Sequence, residues 1–249
     1  MAAQRLGIDV GGSAIKAGLV DTAAGRLLGE LTSMPTPRPA TPEAVIAVLQ
    51  GLVAQTAVRG GRVGVAFPSV IKNGSPCTAA NIDSAWIGAA AEQLLTRATG
   101  VPAVFLNDAD AAGLAEMRWG AGRGCNGTVI MVTLGTGIGT ALFSGGRLFP
   151  NTELGHLEVR GMDAEKRASA QVRTLEKLEF PAWAERVNEY LAAMQRLFWP
   201  DVFILGGAVS ERYAEFAPLL RSPAELRRAQ FGNQAGVIGA ALAAAEAGG

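Results

Sequence analysis

GIDVGGSAIKAGLVDTAAGRLL, residues 7–28, and VTLGTGIGTALFSGGRLF, residues 132–149, follow one plan. Each has an apolar run, a glycine-rich turn, a second alternating run, another turn and a third short run, which predicts strand, turn, strand, turn, strand. Their identity is low, so it is the pattern that repeats, and the expectation is an internally duplicated α/β fold. No linker composition separates the two halves. This predicts two lobes joined directly, with a cleft between them: an N-terminal lobe over 1–107, completed by a C-terminal helix over about 234–249, and a C-terminal lobe over 108–233.

The rest of the chain supports a large folded core. The 249 residues are 49% hydrophobic and 18% charged, which excludes a disordered chain. Lys plus Arg and Asp plus Glu are 22 each, so no global basic field draws the protein to nucleic acid or an anionic membrane. The two cysteines, Cys77 and Cys125, lack CxxC spacing, which argues against a disulfide scaffold or a cysteine-rich zinc site. MAAQRLGIDVGG has no secretory pattern and AGVIGAALAAA is too short for a membrane span, so a cytoplasmic protein is expected. Thr41-Pro42-Glu43 reads as a helix start and Asn73-Gly74 as a hairpin turn. A helix is expected after Ser84, and one helical stretch from about Ala164 to Trp199.

Several residues are candidates for chemistry. Asp9 precedes the turn Gly11-Gly12-Ser13, and Gly135-Thr136-Gly137 forms a second turn. Backbone amides in such turns suit a phosphate, although ordinary hairpin turns look the same; neither is a P-loop or a dinucleotide-binding fingerprint. Lys16 reads equally as a phosphate contact or a solvated strand lysine. In LNDAD, Asn107 and Asp108 start a helix: Asp108 is either a cap or a base, with Asn107 gripping a hydroxyl beside it, while for Asp110 helix-dipole complementarity is the better reading. His156 is the only histidine and follows Glu153 by three, a pair suited to a polyhydroxylated substrate and weak as a metal site. Asn81 precedes a helix. Gly206 and Gly207 end a strand, where a nucleotide could approach the backbone or the chain could merely turn tightly. Lys166, Arg167 and Arg173 read as a solvated face rather than a basic track.

Together, DVGGSAIKAGLVD, LNDADAAGLAE, LGTGIGTAL, ELGH and ILGGAVS stand in an order that resembles the ROK sugar kinases of the actin-like ATPase/hexokinase superfamily. TAANIDSAWIG, PNTELGHLEV and WPDVFILGGAVS are similar to the polyphosphate-dependent glucokinases within it. The resemblance implies a two-lobed, duplicated ribonuclease H-like fold with the active site in the cleft. It also implies transfer of phosphate from polyphosphate, and from ATP, to the 6-hydroxyl of glucose, with mannose as a further sugar. Asp108 would be the base, and Asn81, Asn107, Glu153, His156 and Glu165 would contact the sugar. Asp9 would hold Mg²⁺ through water. Gly11, Gly12, Ser13, Lys16, Gly135, Thr136 and Gly137 would surround the phosphates, with Gly206 and Gly207 near adenosine. GHLEVRGMDAEKRAS lacks the cysteines that bind zinc in typical members, so no zinc site is expected, and Ser69 stands where many relatives have glycine. Relatives are commonly homodimers. A strictly ATP-dependent hexose or N-acetylmannosamine kinase and a non-catalytic sugar sensor are the alternatives.

Overall fold

The structure, a computed structural model, describes residues 4–56, 61–80 and 82–247. The chain forms two compact units: one runs to Ala115 and resumes at Gln234, and the other spans Glu116–Asn233. The division falls inside a helix that starts at Asp108.

In the first unit, β1 (Gln4–Val10) and β2 (Ala14–Asp21) form an antiparallel hairpin. The expected third strand is two short ones, β3 (Arg26–Leu27) and β4 (Thr32–Pro35), both paired with β2. Helix α1 (Pro42–Gln55) follows, its first turn capped by the Thr41 hydroxyl. β5 (Val63–Phe67) pairs parallel to β1. The hairpin β6 (Ile71–Lys72) and β7 (Ser75–Pro76) turns at Asn73 and Gly74, both at positive φ. The helix expected after Ser84 is only a short 3₁₀ turn, Ser84–Trp86; Gly88 at positive φ interrupts the chain, and α2 begins at Ala91 and ends at Thr99. β8 (Ala103–Asn107) then pairs parallel to β5 and leads into α3 (Asp108–Trp119).

Alternation along the strands sorts the two faces of this sheet. Leu6, Ile8 and Val10 bury against Val45, Leu49 and Leu52 of α1 and against Trp86 and Leu95. The opposite face carries glycines in register, Gly18 beside Gly7 beside Gly64. Onto that bare strip lies the C-terminal helix, Ala235–Glu246, built of small residues. A Cβ on Gly7 would stand 1.9 Å from the carbonyl oxygen of Val237, and one on Gly64 1.8 Å from that of Ala240.

The second unit repeats the plan. β9 (Thr128–Leu134), β10 (Ile138–Ser144) and β11 (Arg147–Phe149) form antiparallel neighbours. The hairpin β12 (Glu158–Val159) and β13 (Met162–Asp163) follows. The single helix expected from Ala164 is three: α4 (Glu165–Ala168), α5 (Ala170–Leu175) and α6 (Phe180–Phe198). Ser169 breaks the first pair by capping α5, and Lys177 at positive φ with Pro181 sets off the last. β14 (Val202–Gly206), α7 (Tyr213–Phe216) and β15 (Glu225–Arg228) complete the unit. Its strand order, β11-β10-β9-β14-β15, matches β3-β2-β1-β5-β8 of the first, so the repeated pattern is a repeated topology. Trp183, Val187, Tyr190, Leu191 and Met194 of α6 fill the core beneath β9 and β14.

Glu116 is a fully buried carboxylate with a structural task. Its Oε2 accepts from the backbone N–H of Ala121 at 2.8 Å, and its Oε1 from Gln230 at 2.7 Å and Phe231 at 2.9 Å. Glu116→Ala strands these three donors, so unfolding free energy is expected to fall by about 3–5 kcal/mol. Denaturant titration measures it, and a loss below about 1 kcal/mol would show that water replaces the carboxylate.

Candidate active site

In the first unit Asp9 stands opposite Lys16 across the β1–β2 hairpin, so both side chains leave the same face. Gly236, in the first turn of the C-terminal helix, leaves room for the carboxylate; a Cβ there would be 2.8 Å from Asp9 Cγ. Burial pushes the Asp9 pKa up, and the Lys16 ammonium draws it back down. No described residue donates a hydrogen bond to this carboxylate. A half-buried carboxylate beside a helix N-terminus and lacking a donor suits a hard cation, directly or through water.

The turn after Asp9 is held from both sides. Gly11 N–H bonds to the Ala14 carbonyl at 3.0 Å, and Thr36 donates its hydroxyl to the Gly11 carbonyl at 2.6 Å. Among the described residues nothing accepts from the N–H groups of Gly12 and Ser13, both exposed. These amides are open to an anion.

Asp108 opens α3. Asn107, buried at the end of β8, caps the helix: its Oδ1 accepts from Ala109 N–H at 2.9 Å and Asp110 N–H at 3.1 Å, and its Nδ2 donates to the Ser69 carbonyl at 3.2 Å. Asn107 is the cap, and Asp108 Oδ1 takes a further 2.8 Å bond from Ala109 N–H. Asn81 lies outside the described residues.

The second unit gathers Gly137, Glu153, His156 and Glu165. Gly155 seats the Glu153–His156 turn on β10, where a Cβ would be 2.2 Å from the Ile138 carbonyl oxygen. Thr140 and Thr152 exchange hydroxyl-to-carbonyl bonds of 2.7 and 3.0 Å, and Leu154 N–H bonds to Thr140 Oγ1 at 3.1 Å. Glu165 Oε2 would sit 2.5 Å from a Cβ on Gly137 and takes a long 3.4 Å bond from Ile138 N–H. Partial burial raises the Glu153 pKa; His156 lowers it and Glu165 raises it further. His156 Nδ1 lies 3.4 Å from Asp163 Oδ2 and 3.9 Å from Glu165 Oε1.

Gly135 has open space where a Cβ would stand, so packing does not demand glycine there. Its N–H bonds to the Gly137 carbonyl at 3.0 Å and its carbonyl accepts from Gln171 N–H at 3.0 Å. No described residue accepts from the N–H groups of Thr136 and Gly137. Gly207 is different: φ is +83°, and a Cβ would lie 2.4 Å from the Leu134 carbonyl oxygen, so the fold itself requires glycine. Gly206 packs against Met131 and Ala229.

Two features escaped the sequence reading. Asp163 joins His156 and Glu165 in a group whose ligand atoms lie within 4.8 Å of one another, a geometry open to a metal ion. Lys166 Nζ already sits 3.1 Å from Asp163 Oδ2, supplying positive charge there. The braces Thr140, Thr152 and Gly155 also went unnoticed, because only the β10 contact gives them meaning. Lys166, Arg167 and Arg173 form no basic track: Lys166 pairs with Asp163, Arg167 with Glu189, and Arg173 lies over the Phe180 ring, 3.9 Å from its centroid.

Comparison with known proteins places the chain in a family. The chain is 45% identical over 238 residues, 95% of its length and 89% of theirs, to a polyphosphate glucokinase of Mycobacterium tuberculosis. The crystal structure of an inorganic polyphosphate/ATP-glucomannokinase from Arthrobacter sp. strain KM superimposes with a TM-score of 0.94 at 45% identity, covering 98% of this chain and 99% of that one. A ROK family glucokinase from Streptomyces griseus, solved with glucose and AMPPNP, gives 0.83 at 26% identity over 98% and 100%. These are kinases of the two-lobed actin-like ATPase/hexokinase fold, whose duplicated sheets this chain shares. Residues 5–169 match the ROK family, and the chain belongs to it.

Proposed function

We propose that this protein transfers the terminal phosphate of inorganic polyphosphate, and also of ATP, to the 6-hydroxyl of glucose, giving glucose 6-phosphate. The observation that carries the reading is Asp108: a carboxylate fixed at a helix N-terminus by Ala109 N–H and flanked by a buried Asn107 cap. The polyphosphate-using relatives supply the donor.

Phosphoryl transfer passes through a loose transition state, so positioning and charge neutralisation carry most of the catalysis. Asp108 accepts the proton of the 6-hydroxyl as the oxygen attacks phosphorus. Glu153, His156 and Glu165 hold the remaining hydroxyls, with Asn81 as a further contact. The open amides of Gly12, Ser13, Thr136 and Gly137 bind phosphate oxygens, and Lys16 adds charge. Gly206 and Gly207 take the adenosine side when ATP is the donor. Mg²⁺, held by Asp9 through water, would supply further neutralisation of phosphate charge. Mannose is a second substrate in this reading. The protein acts in the cytoplasm as a homodimer, with exposed Leu197 and Trp199 at the end of α6 as the pairing surface.

Glucose phosphorylation is expected with either donor alone. With both present, each donor should inhibit use of the other competitively, because one set of amides serves both. Product from ATP alone would move the assignment to an ordinary ROK hexokinase. Additive rates would contradict a shared donor site.

A further inference from the structure

Ser69 is 3% exposed and stands between the proposed base and the β6–β7 hairpin. Its carbonyl receives Asn107 Nδ2 at 3.2 Å, the bond that orients the amide capping α3. Its hydroxyl lies 2.8 Å from the Thr78 carbonyl, to which it donates, and accepts from Thr78 N–H at 3.1 Å. Thr78 Oγ1 in turn accepts from Val70 N–H at 3.0 Å, and Cys77 N–H bonds to the Val70 carbonyl at 2.8 Å. The two ends of the hairpin are thus laced together at Ser69, and the same residue sets the direction of the Asn107 side chain.

We propose that Ser69 is a positioning residue for the phosphoryl transfer: its hydroxyl fixes its own carbonyl, the carbonyl fixes Asn107, and Asn107 fixes the first turn of α3 that bears Asp108. The inference rests on Asp108 being the base. Ser69 touches no reacting atom in this scheme. With alanine at 69 the backbone carbonyl remains, but the hairpin that held it is loosened, and Asn107 loses a fixed partner. Buried polar networks of this kind act as units, so the effects of removing two members do not multiply.

The test combines kinetics with amide hydrogen exchange on the full-length protein. Ser69→Ala is expected to lower kcat roughly tenfold, within the range for a small displacement of a catalytic group, while KM for glucose changes less than about twofold. Amide exchange at Ala109 and Asp110, the two donors Asn107 caps, should accelerate in the same variant. Ser69→Ala combined with Asn107→Ala should be no slower than Asn107→Ala alone, within about twofold. If Ser69→Ala fails to fold, exposed Thr78 provides the same test from the far side. Thr78→Val should lower kcat and speed exchange at 109–110, and Thr78→Ser, which keeps the hydroxyl, should do neither. Unchanged exchange at 109–110, or multiplicative kinetic effects, would overturn the role of Ser69. Faster exchange in a protein whose wild type phosphorylates no sugar would instead overturn the proposed function and leave the brace standing.

Discussion

Asp108→Asn is expected to lower turnover by at least about 10²-fold, the scale of a lost general base, with glucose affinity nearly unchanged. The substitution is close to isosteric. Asn keeps an Oδ1 to accept from Ala109 N–H, now made at 2.8 Å, so the start of α3 and the Asn107 cap should hold. What disappears is the second carboxylate oxygen, the proton acceptor of the proposed mechanism. In that mechanism Glu153, His156 and Glu165 hold the other sugar hydroxyls and are untouched, which is why binding and turnover should separate. Glucose titration by calorimetry beside steady-state kinetics measures both. Turnover like that of wild type would remove Asp108 from the role, and equal losses in affinity and turnover would recast it as a binding residue.

Gly64→Ala is expected to be among the most damaging small substitutions in the first unit. The new Cβ would lie 1.8 Å from the Ala240 carbonyl oxygen and 2.3 Å from its carbon, both backbone atoms of the C-terminal helix. β5 is an interior strand, so it cannot shift without breaking its ladders to β1 and β8. The helix must lift from the glycine strip, at a cost of about 3 kcal/mol or more. For a chain of this size that is a fall in Tm on the order of 6–12 °C. Gly51 is the control: it lies within α1 with nothing within 4 Å of a Cβ, and Gly51→Ala should stabilise by roughly 0.5–1 kcal/mol. Equal melting of wild type and Gly64→Ala would contradict the close helix-to-sheet contact.

The same glycines show what was legible in the sequence. The duplicated strand–turn–strand plan could be read directly, because turn glycines and alternating apolar residues report local geometry. Thr41, Pro42 and the Asn73-Gly74 turn were legible for the same reason. Gly7, Gly18 and Gly64 were not, since a strand glycine acquires its reason only when Val237 and Ala240 arrive from far along the chain. The broken helix over 164–199 was hidden because residues 165–175 have helical composition on both sides of Ser169, and a capping serine looks like any other. In the site, LNDAD and ELGH marked candidate polar residues but not how they are arranged. That Asn107 caps α3 has its reason only in the bond from its amide to the Ser69 carbonyl, nearly forty residues earlier. The meeting of Asp163 with His156 and Glu165 depends on the β12–β13 hairpin, too short to be read from periodicity.

The proposed activity is transfer of phosphate from polyphosphate to glucose. The most direct measurement supplies purified protein with glucose, Mg²⁺ and nucleotide-free long-chain polyphosphate, and follows the phosphorus resonance of the product. Phosphate is expected on the 6-oxygen of glucose, accumulating as polyphosphate is consumed. Polyphosphate left intact, in a sample that still binds glucose and phosphorylates it with ATP, would contradict it.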